Sequence, residues 1–457
     1  MDAAAGVNGR PVDGDAAKSS VVGPRHRPAS LDFGMADTAS PPDRAANGAG
    51  TYVRKGFGLK AEVQDTLAAD YTGHLVDLLR ARDYTLVVGD TTVRLAKEFG
   101  FCYGVERAVD YAYQTRRKFP ERRIFLAGEI IHNPHVNAKL REMGVVFLPA
   151  SGKGFDYAAV SATDVVILPA FGVTMQDFQT LRDLGCVVVD TTCGSVLNVW
   201  KRVEVYARDG FTSLIHGKFY HEETRATASQ VEKYPGGQYL VVRDMAEAEL
   251  VMTYIEARAG KPTAQPALSR EAFLEKFAKA ASDHFDPDLH LERIGVANQT
   301  TMLARESLAI GAAVGDAMAR AHGESHRSEH FRTFDTICSA TQDRQDAVVE
   351  LLTEPLDLMV VVGGYNSSNT ISLAALCAEQ VPTFHIADPD EIDVAHNRVR
   401  FRLIGPHHAE SEQALWIPTD RPLRIGITAG ASTPNNKIGE AVARVFAIRG
   451  IDPASIT

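Results

Sequence analysis

Cysteine is scarce: there are five in 457 residues, and no Cys-x-x-Cys pair among them. That argues against a disulfide-built secreted fold and against the usual four-thiolate zinc module. No apolar run approaches the roughly 20 residues a membrane-spanning helix needs, and no apolar core of a secretory signal opens the chain. An excess of positive charge is also missing, since the formal net charge is −10. A nucleic-acid or membrane partner is therefore not expected, and any anionic substrate must be held by local donors. The reducing cytoplasm is the expected compartment.

What is present is ordinary globular composition, 45% hydrophobic and 23% charged, in a chain long enough for several cores. Residues 1–50 lack a periodic apolar pattern and read as a disordered tail. They carry six Asp, more than a cleaved organellar presequence tolerates. Residues 51–101 form an N-terminal extension, in which Val63, Leu67, Tyr71, Leu75, Leu78 and Leu79 predict one amphipathic helix before the strand YTLVVG. From Thr91 onward, short β runs alternate with helical segments, the signature of α/β architecture.

Three cysteines sit where a strand-like run gives way to a helix-like run: GFCYGVERAV at Cys102, VVVDTTCGSV at Cys193 and FDTICSATQD at Cys338. The last two share Asp-Thr-x-Cys. One local design used three times predicts three similar α/β domains in a pseudo-threefold arrangement around a central cavity. The units run 102–192, 193–333 and 334–440, and 441–457 ends the last helix and the chain. The middle unit is longest because of residues 257–291, a charged stretch expected to be a peripheral surface helix. Cys186 and Cys377 lie in apolar contexts and read as buried small hydrophobes.

Each unit adds two polar loops after its cysteine, at the strand ends where α/β sheets bind ligands. GGYNSSNT (363–370) has the layout of an anion-binding helix N-terminus, although Ser368 or Asn369 acting as a helix cap explains it equally. In TAGASTPNN (428–436), Pro434 fits the first helical position and Thr433 the cap, which leaves Ser432 facing outward. Histidines fall in two matching loops, His132 and His135 in IIHNPHV and His216 and His221 in HGKFYHEET. Glu222 and Glu223 follow His221. One of them is a candidate proton donor and either is a helix-end acid. Thr300 or Thr301 of ANQTTM is a relay hydroxyl or a cap. Three thiolates with no fourth nearby suggest a metal centre with one position left for chemistry, and an iron–sulfur cluster held through three irons satisfies that.

Taken together, FCYGV, IIHN, DTTC, HGKFYHEET, QTTM, DTICSAT, NSSNT and TAGAST resemble the 4-hydroxy-3-methylbut-2-enyl diphosphate reductase family, and the longer plant and cyanobacterial branch of it. The resemblance runs in order from about Thr51 to the last helix. It implies a three-domain trefoil around one [4Fe-4S] cluster held by Cys102, Cys193 and Cys338, with one iron open. It further implies a small diphosphate substrate bound by His132, His221, Ser367, Ser368, Asn369 and Ser432. Glu223 would lead proton delivery with Thr300 in the relay, and a low-potential carrier of ferredoxin or flavodoxin type would supply electrons. The activity implied is reductive dehydroxylation to isopentenyl and dimethylallyl diphosphates, the last step of the non-mevalonate isoprenoid pathway. Two departures stand out. Phe171 occupies PAFGVT where many bacterial members have histidine, and Gly194 follows Cys193 where proline is common. The alternatives are a non-redox three-cysteine iron–sulfur enzyme, such as a dehydratase or a quinolinate synthase-like enzyme, and a protein with a purely structural metal.

Overall fold

The computed structural model describes residues 51–456 apart from Lys153 and residues 406–408. The tail expectation for 1–50 lies outside the described residues. Strands such as Val165–Leu168 (VVIL) and Leu358–Val362 (LMVVV) are apolar at every position and buried throughout. Strands of that kind suit parallel sheets covered by helices on both faces, where no side of the strand meets water.

Three such sheets form. In the first, all parallel, the spatial order is Tyr52–Val53, Val187–Asp190, Val165–Leu168, Ile124–Leu126, Val145–Phe147. The second, also parallel, runs Tyr239–Val242, Thr212–His216, Ile294–Asn298, Phe331–Thr333. The third has a parallel centre of Thr383–Ile386, Leu358–Val362, Leu423–Ala429 and Thr91–Leu95. Antiparallel Thr85–Val88 flanks it on one side, and Ile392–Asp393, Arg398–Arg402 and Glu410–Ala414 on the other.

The three sheets are linked in a cycle. Thr91–Leu95 of the third sheet leads through Cys102 into helix Tyr103–Lys118, whose Val105, Ala108, Val109 and Ala112 pack in the first core. Val187–Asp190 of the first sheet leads through Cys193 into helix Gly194–Arg208, which packs with Phe211 and Ala297 of the second. Phe331–Thr333 of the second leads through Cys338 into helix Ser339–Leu351, which packs on Met359 and Val361 of the third. Each cysteine therefore marks a passage between units, the α/β, threefold architecture that the repeated turns predict.

Three local expectations are corrected. The single N-terminal helix is two, Lys60–Tyr71 and His74–Ala81. Thr72 is extended, and a Cβ on Gly73 would lie 2.9 Å from the carbonyl oxygen of Asn435. The chain must bend there, and its halves face different cores: Val63 and Tyr71 the first, Val76 and Leu79 the third. Residues 51–101 contribute strands to two sheets, Tyr52–Val53 to the first and Thr85–Val88 and Thr91–Leu95 to the third. The inserted 257–291 is not merely peripheral. Phe273, Phe277 and Phe285 are buried in the second core, and Ala281 bridges Leu240, covering the edge strand Tyr239–Val242. Finally, Pro434 is itself the cap of helix Asn435–Ile448, and the Thr433 hydroxyl donates to the Val362 carbonyl instead.

Candidate active site

Cys102, Cys193 and Cys338 each occupy the cap position of a helix, all with extended backbone. Their backbone N–H groups make equivalent bonds to the last polar loop of a unit. Cys102 donates to Ala431 O (3.1 Å), Cys193 to Ala170 O (2.9 Å) and Cys338 to Thr300 O (3.3 Å). A Cβ on Gly104 would lie 2.5 Å from Cys193 Sγ and 3.9 Å from Cys102 Sγ, so glycine is what lets the Cys193 sulfur approach the Cys102 turn. Burial pushes the Cys102 thiol up, Arg344 counteracts this, and Cys193 adds to it. Burial also pushes Cys338 up to about 11, against its bonds to Thr341 and with contributions from Cys102 and Glu223. Thiols that raise one another's pKa are crowded thiols. A metal among them reverses that balance, because ligation removes the protons outright. Cys186 and Cys377 are buried in apolar cores, away from this point.

Beside the cysteines the polar loops of all three units converge. Glu223 is fully buried, and its Oε1 accepts from Thr300 N at 2.6 Å. Burial raises its pKa from 4.5 to about 6, against the bonds to Thr300. Thr300 in turn accepts from Cys338 N, so one short chain joins this acid to a cysteine turn. Glu222, by contrast, is half-exposed and lies 3.6 Å from His132 Nε2. Of the two acids, Glu223 is thus the buried one, tied to the cysteine turn through Thr300.

The histidines separate as well. His132 and His221 meet at 3.2 Å through their Nε2 atoms. His216 is bonded to Ser307 (2.7 Å) inside its strand, and His135 reaches Asp70 O (3.3 Å) on the outer side. His221 Nδ1 accepts from Glu223 N (3.1 Å), and burial holds its pKa well down. The neutral ring therefore carries its proton on Nε2 and donates to His132 Nε2. His132 then donates from Nδ1 to Glu129 Oε2 at 2.9 Å. Phe171 stacks on His132 with centroids 4.3 Å apart.

In the third unit Ser367 is the cap, accepting from Thr370 N, which frees Ser368 and Asn369 from that task. Ser368 Oγ accepts from Lys218 Nζ (3.2 Å) and Gln299 Nε2 (3.0 Å). Asn369 Oδ1 accepts from Ala431 N (2.9 Å), while its buried Nδ2 has no partner. Ser432 donates to the His132 carbonyl at 3.3 Å. A Cβ on Gly364 would lie 2.4 Å from that same oxygen, so glycine permits the first and third units to touch here. A cleft of about 320 Å³ opens over His132, His221, Lys218, Tyr365 and Arg402.

The chain matches the family model described as LytB protein over residues 93–446. The chain belongs to the LytB protein family. Among curated relatives of this LytB chain is the 4-hydroxy-3-methylbut-2-enyl diphosphate reductase of Thermosynechococcus vestitus. It is 46% identical over 413 residues, covering 90% of this chain and 98% of the relative. The reductase of the same name from Gloeobacter violaceus is 47% identical over 413 residues, covering 89% and 94%. The fold resembles the solved E-1-hydroxy-2-methyl-but-2-enyl-4-diphosphate reductase from Plasmodium falciparum (TM-score 0.54, 21% identity, 77% of this chain and 86% of that one).

Within this LytB chain, sequence reasoning missed Gln299, Glu129, Lys218 and Arg402. Gln299 is 1% exposed and holds four partners: Lys218 N, Thr224, Thr301 and Ser368. It lies inside QTTM, where the eye falls on the hydroxyls. Arg402 enters from an antiparallel strand that carries no motif. Ligand atoms of His132, His221 and Glu222 lie within 4.8 Å of one another, close enough for a divalent ion. The tautomer argues otherwise. His221 cannot offer an Nε2 lone pair while its Nδ1 accepts from Glu223, so as bonded here it is not a metal ligand.

No helix among the described residues is long and apolar enough to cross a membrane.

Proposed function

We propose that this chain reductively dehydroxylates 4-hydroxy-3-methylbut-2-enyl diphosphate to isopentenyl and dimethylallyl diphosphates, the last step of the non-mevalonate pathway. The observation that carries the reading is the juxtaposition of three converging cysteine turns with a donor-lined pocket, joined by Glu223 and Thr300. Two electrons and two protons enter, the allylic C–O bond breaks, a C–H bond forms and one water leaves.

Three thiols at three helix N-termini, with no fourth cysteine beside them, fit one [4Fe-4S] cluster per chain with one iron free of protein. When bound, that group supplies the electrons and a Lewis acid for the departing hydroxyl. The remaining work falls to side chains. Asn369 Nδ2 and the Ser367 and Ser368 hydroxyl protons are free to donate to diphosphate oxygens, with Ser432 joined to the His132 carbonyl beside them. His221 Nε2–H, engaged with His132 Nε2 in this structure, would be redirected to a diphosphate oxygen. His132 lines the same cleft, its ring held at Nδ1 by Glu129. Glu223, whose hold on its proton burial strengthens, gives that proton toward the leaving oxygen, and Thr300 aligns it. A low-potential carrier of ferredoxin or flavodoxin type, in a reducing cytoplasmic compartment, completes the cycle.

Anaerobic reconstitution tests this. Metal analysis should find about four irons with matching acid-labile sulfide. The protein should turn over the hydroxylated five-carbon diphosphate only when a chemical reductant is present. Zinc without sulfide, or turnover without reductant, would reject it.

A further inference from the structure

We propose that Lys218, supported by Arg402, binds the anionic end of the ligand and supplies the positive charge that the histidine, serine and asparagine loops do not. The inference deepens the function proposed above and rests on it.

Lys218 reaches into the cleft from the loop after strand Thr212–His216, and its Nζ donates to Ser368 Oγ at 3.2 Å. It has no carboxylate within ion-pair distance among the described residues. Arg402 enters the same cleft from strand Arg398–Arg402. It lies over the Tyr365 ring at 5.6 Å, donates to the Tyr365 carbonyl, and leaves its buried Nε without a partner. The two cations repel each other, and burial together with that repulsion lowers the lysine to about 8. Two part-buried cations share the cleft, and among the described residues neither has a carboxylate within ion-pair distance, because the lining acids Glu129 and Glu222 face His132 instead; that is a costly arrangement. An anion between them removes the cost.

A second hollow of the protein makes the contrast. It is slightly larger, about 360 Å³, and also lined by charge, but there Arg117 pairs with Glu62 (2.8 Å) and Lys139 with Asp70 (3.5 Å). That charge is already compensated. In the cleft the carboxylates of Glu129 and Glu222 turn to His132, and neither Lys218 nor Arg402 is ion-paired among the described residues.

The lysine also orients a neighbour. Ser368 Oγ accepts from both Lys218 and Gln299, so its lone pairs are engaged and its proton points to whatever binds. Phe171 covers His132 with a ring that carries no donor, so the charge must come from elsewhere.

The test uses reconstituted holoenzyme of wild type, Lys218→Gln, Lys218→Arg and Arg402→Gln. Inorganic pyrophosphate is the binding probe, and steady-state kinetics with the five-carbon diphosphate is the second arm. Lys218→Gln should weaken pyrophosphate binding and raise KM together, each about tenfold or more, the worth of one charged hydrogen bond. Its kcat should stay within about threefold and its cluster absorbance should be unchanged. Lys218→Arg should recover most of the affinity, and Arg402→Gln should lose about threefold. Pyrophosphate affinity within twofold of wild type in Lys218→Gln, or in Arg402→Gln should the lysine variant not assemble, overturns the proposal. So does a fall in kcat with KM unmoved. Pyrophosphate binding is read without turnover, so failure of the assigned reaction in wild type would leave this result interpretable.

Discussion

The cysteine turns and the pocket loops are built from the same three units, yet they differ in how far they repeat. The turns are near copies: a helix cap, an extended backbone, and an N–H bond to the last loop of a unit. The pocket loops share only their position at strand ends. The first unit offers His132, Glu129 and Phe171, the second Lys218, His221, Glu223 and Gln299, the third Ser367, Ser368 and Asn369. Repetition suits a compact inorganic group that presents equal faces to equal ligands. Divergence suits a substrate with a charged end and a reacting end. The same scaffold thus places symmetry at one depth and asymmetry at the next.

If the turns are equivalent, Cys102→Ser, Cys193→Ser and Cys338→Ser should fail alike. Each should abolish the brown chromophore and turnover, measured by visible absorbance and anaerobic assay. One variant with wild-type activity would break the equivalence and the metal assignment with it. The divergent half predicts unequal effects instead. Glu223→Gln should keep iron content and substrate affinity but lose about 10²- to 10⁴-fold in kcat, the usual scale for a positioned proton donor. Glu222→Gln, half-exposed one residue earlier, should stay within a few-fold. Equal losses in the two would remove Glu223 from its role.

The same acid sets a pH dependence. Its pKa lies above the ordinary value, so the folded state holds its proton through about pH 6. The stability contributed by the protonated form is complete below about 4.5 and lost as pH rises through about 6. Wild-type kcat/KM should therefore fall above about pH 6. The break in kcat should lie higher, because the bound diphosphate adds negative charge beside Glu223. Glu223→Gln should be flat over that range, and an unchanged limb in the variant would assign it to another group.

This division also explains what the amino-acid sequence made legible. The repeated half announces itself, since Asp-Thr-x-Cys recurs and each cysteine follows an apolar run. The pocket residues inside ordered motifs, His132, His221, Ser368 and Asn369, were likewise readable as candidates. What stayed hidden depends on contacts between units. Nothing local distinguishes Glu223 from Glu222 until Thr300 arrives from 77 residues away. Arg402 meets Tyr365 across two strands, and Gln299 reaches Ser368 across two units. The broken first helix was invisible for a related reason. Its apolar spacing continues through Thr72 and Gly73, and only the approach of Asn435 requires the bend. The aromatic residues of the insertion were masked by the charges around them, although Phe273 is completely buried.

The smallest expected effect concerns a place where the cysteine half departs from its own symmetry. Arg344 is 3% exposed, and its guanidinium donates to Gly100 O (2.6 Å) and Ala340 O (2.8 Å), with no carboxylate in ion-pair range among the described residues. Its charge acts against the burial that raises Cys102. Reduction of any centre held by these sulfurs adds negative charge, and a buried cation nearby favours it. Arg344→Gln should therefore move the reduction potential in the negative direction by about 60 mV or less, a tenfold change at most in a one-electron equilibrium. Iron content serves as the control for assembly, and redox titration followed by visible absorbance reads the shift. A potential that stays put, or moves positive, would mean that Arg344 ties Gly100 and Ala340 together without tuning the centre beside it.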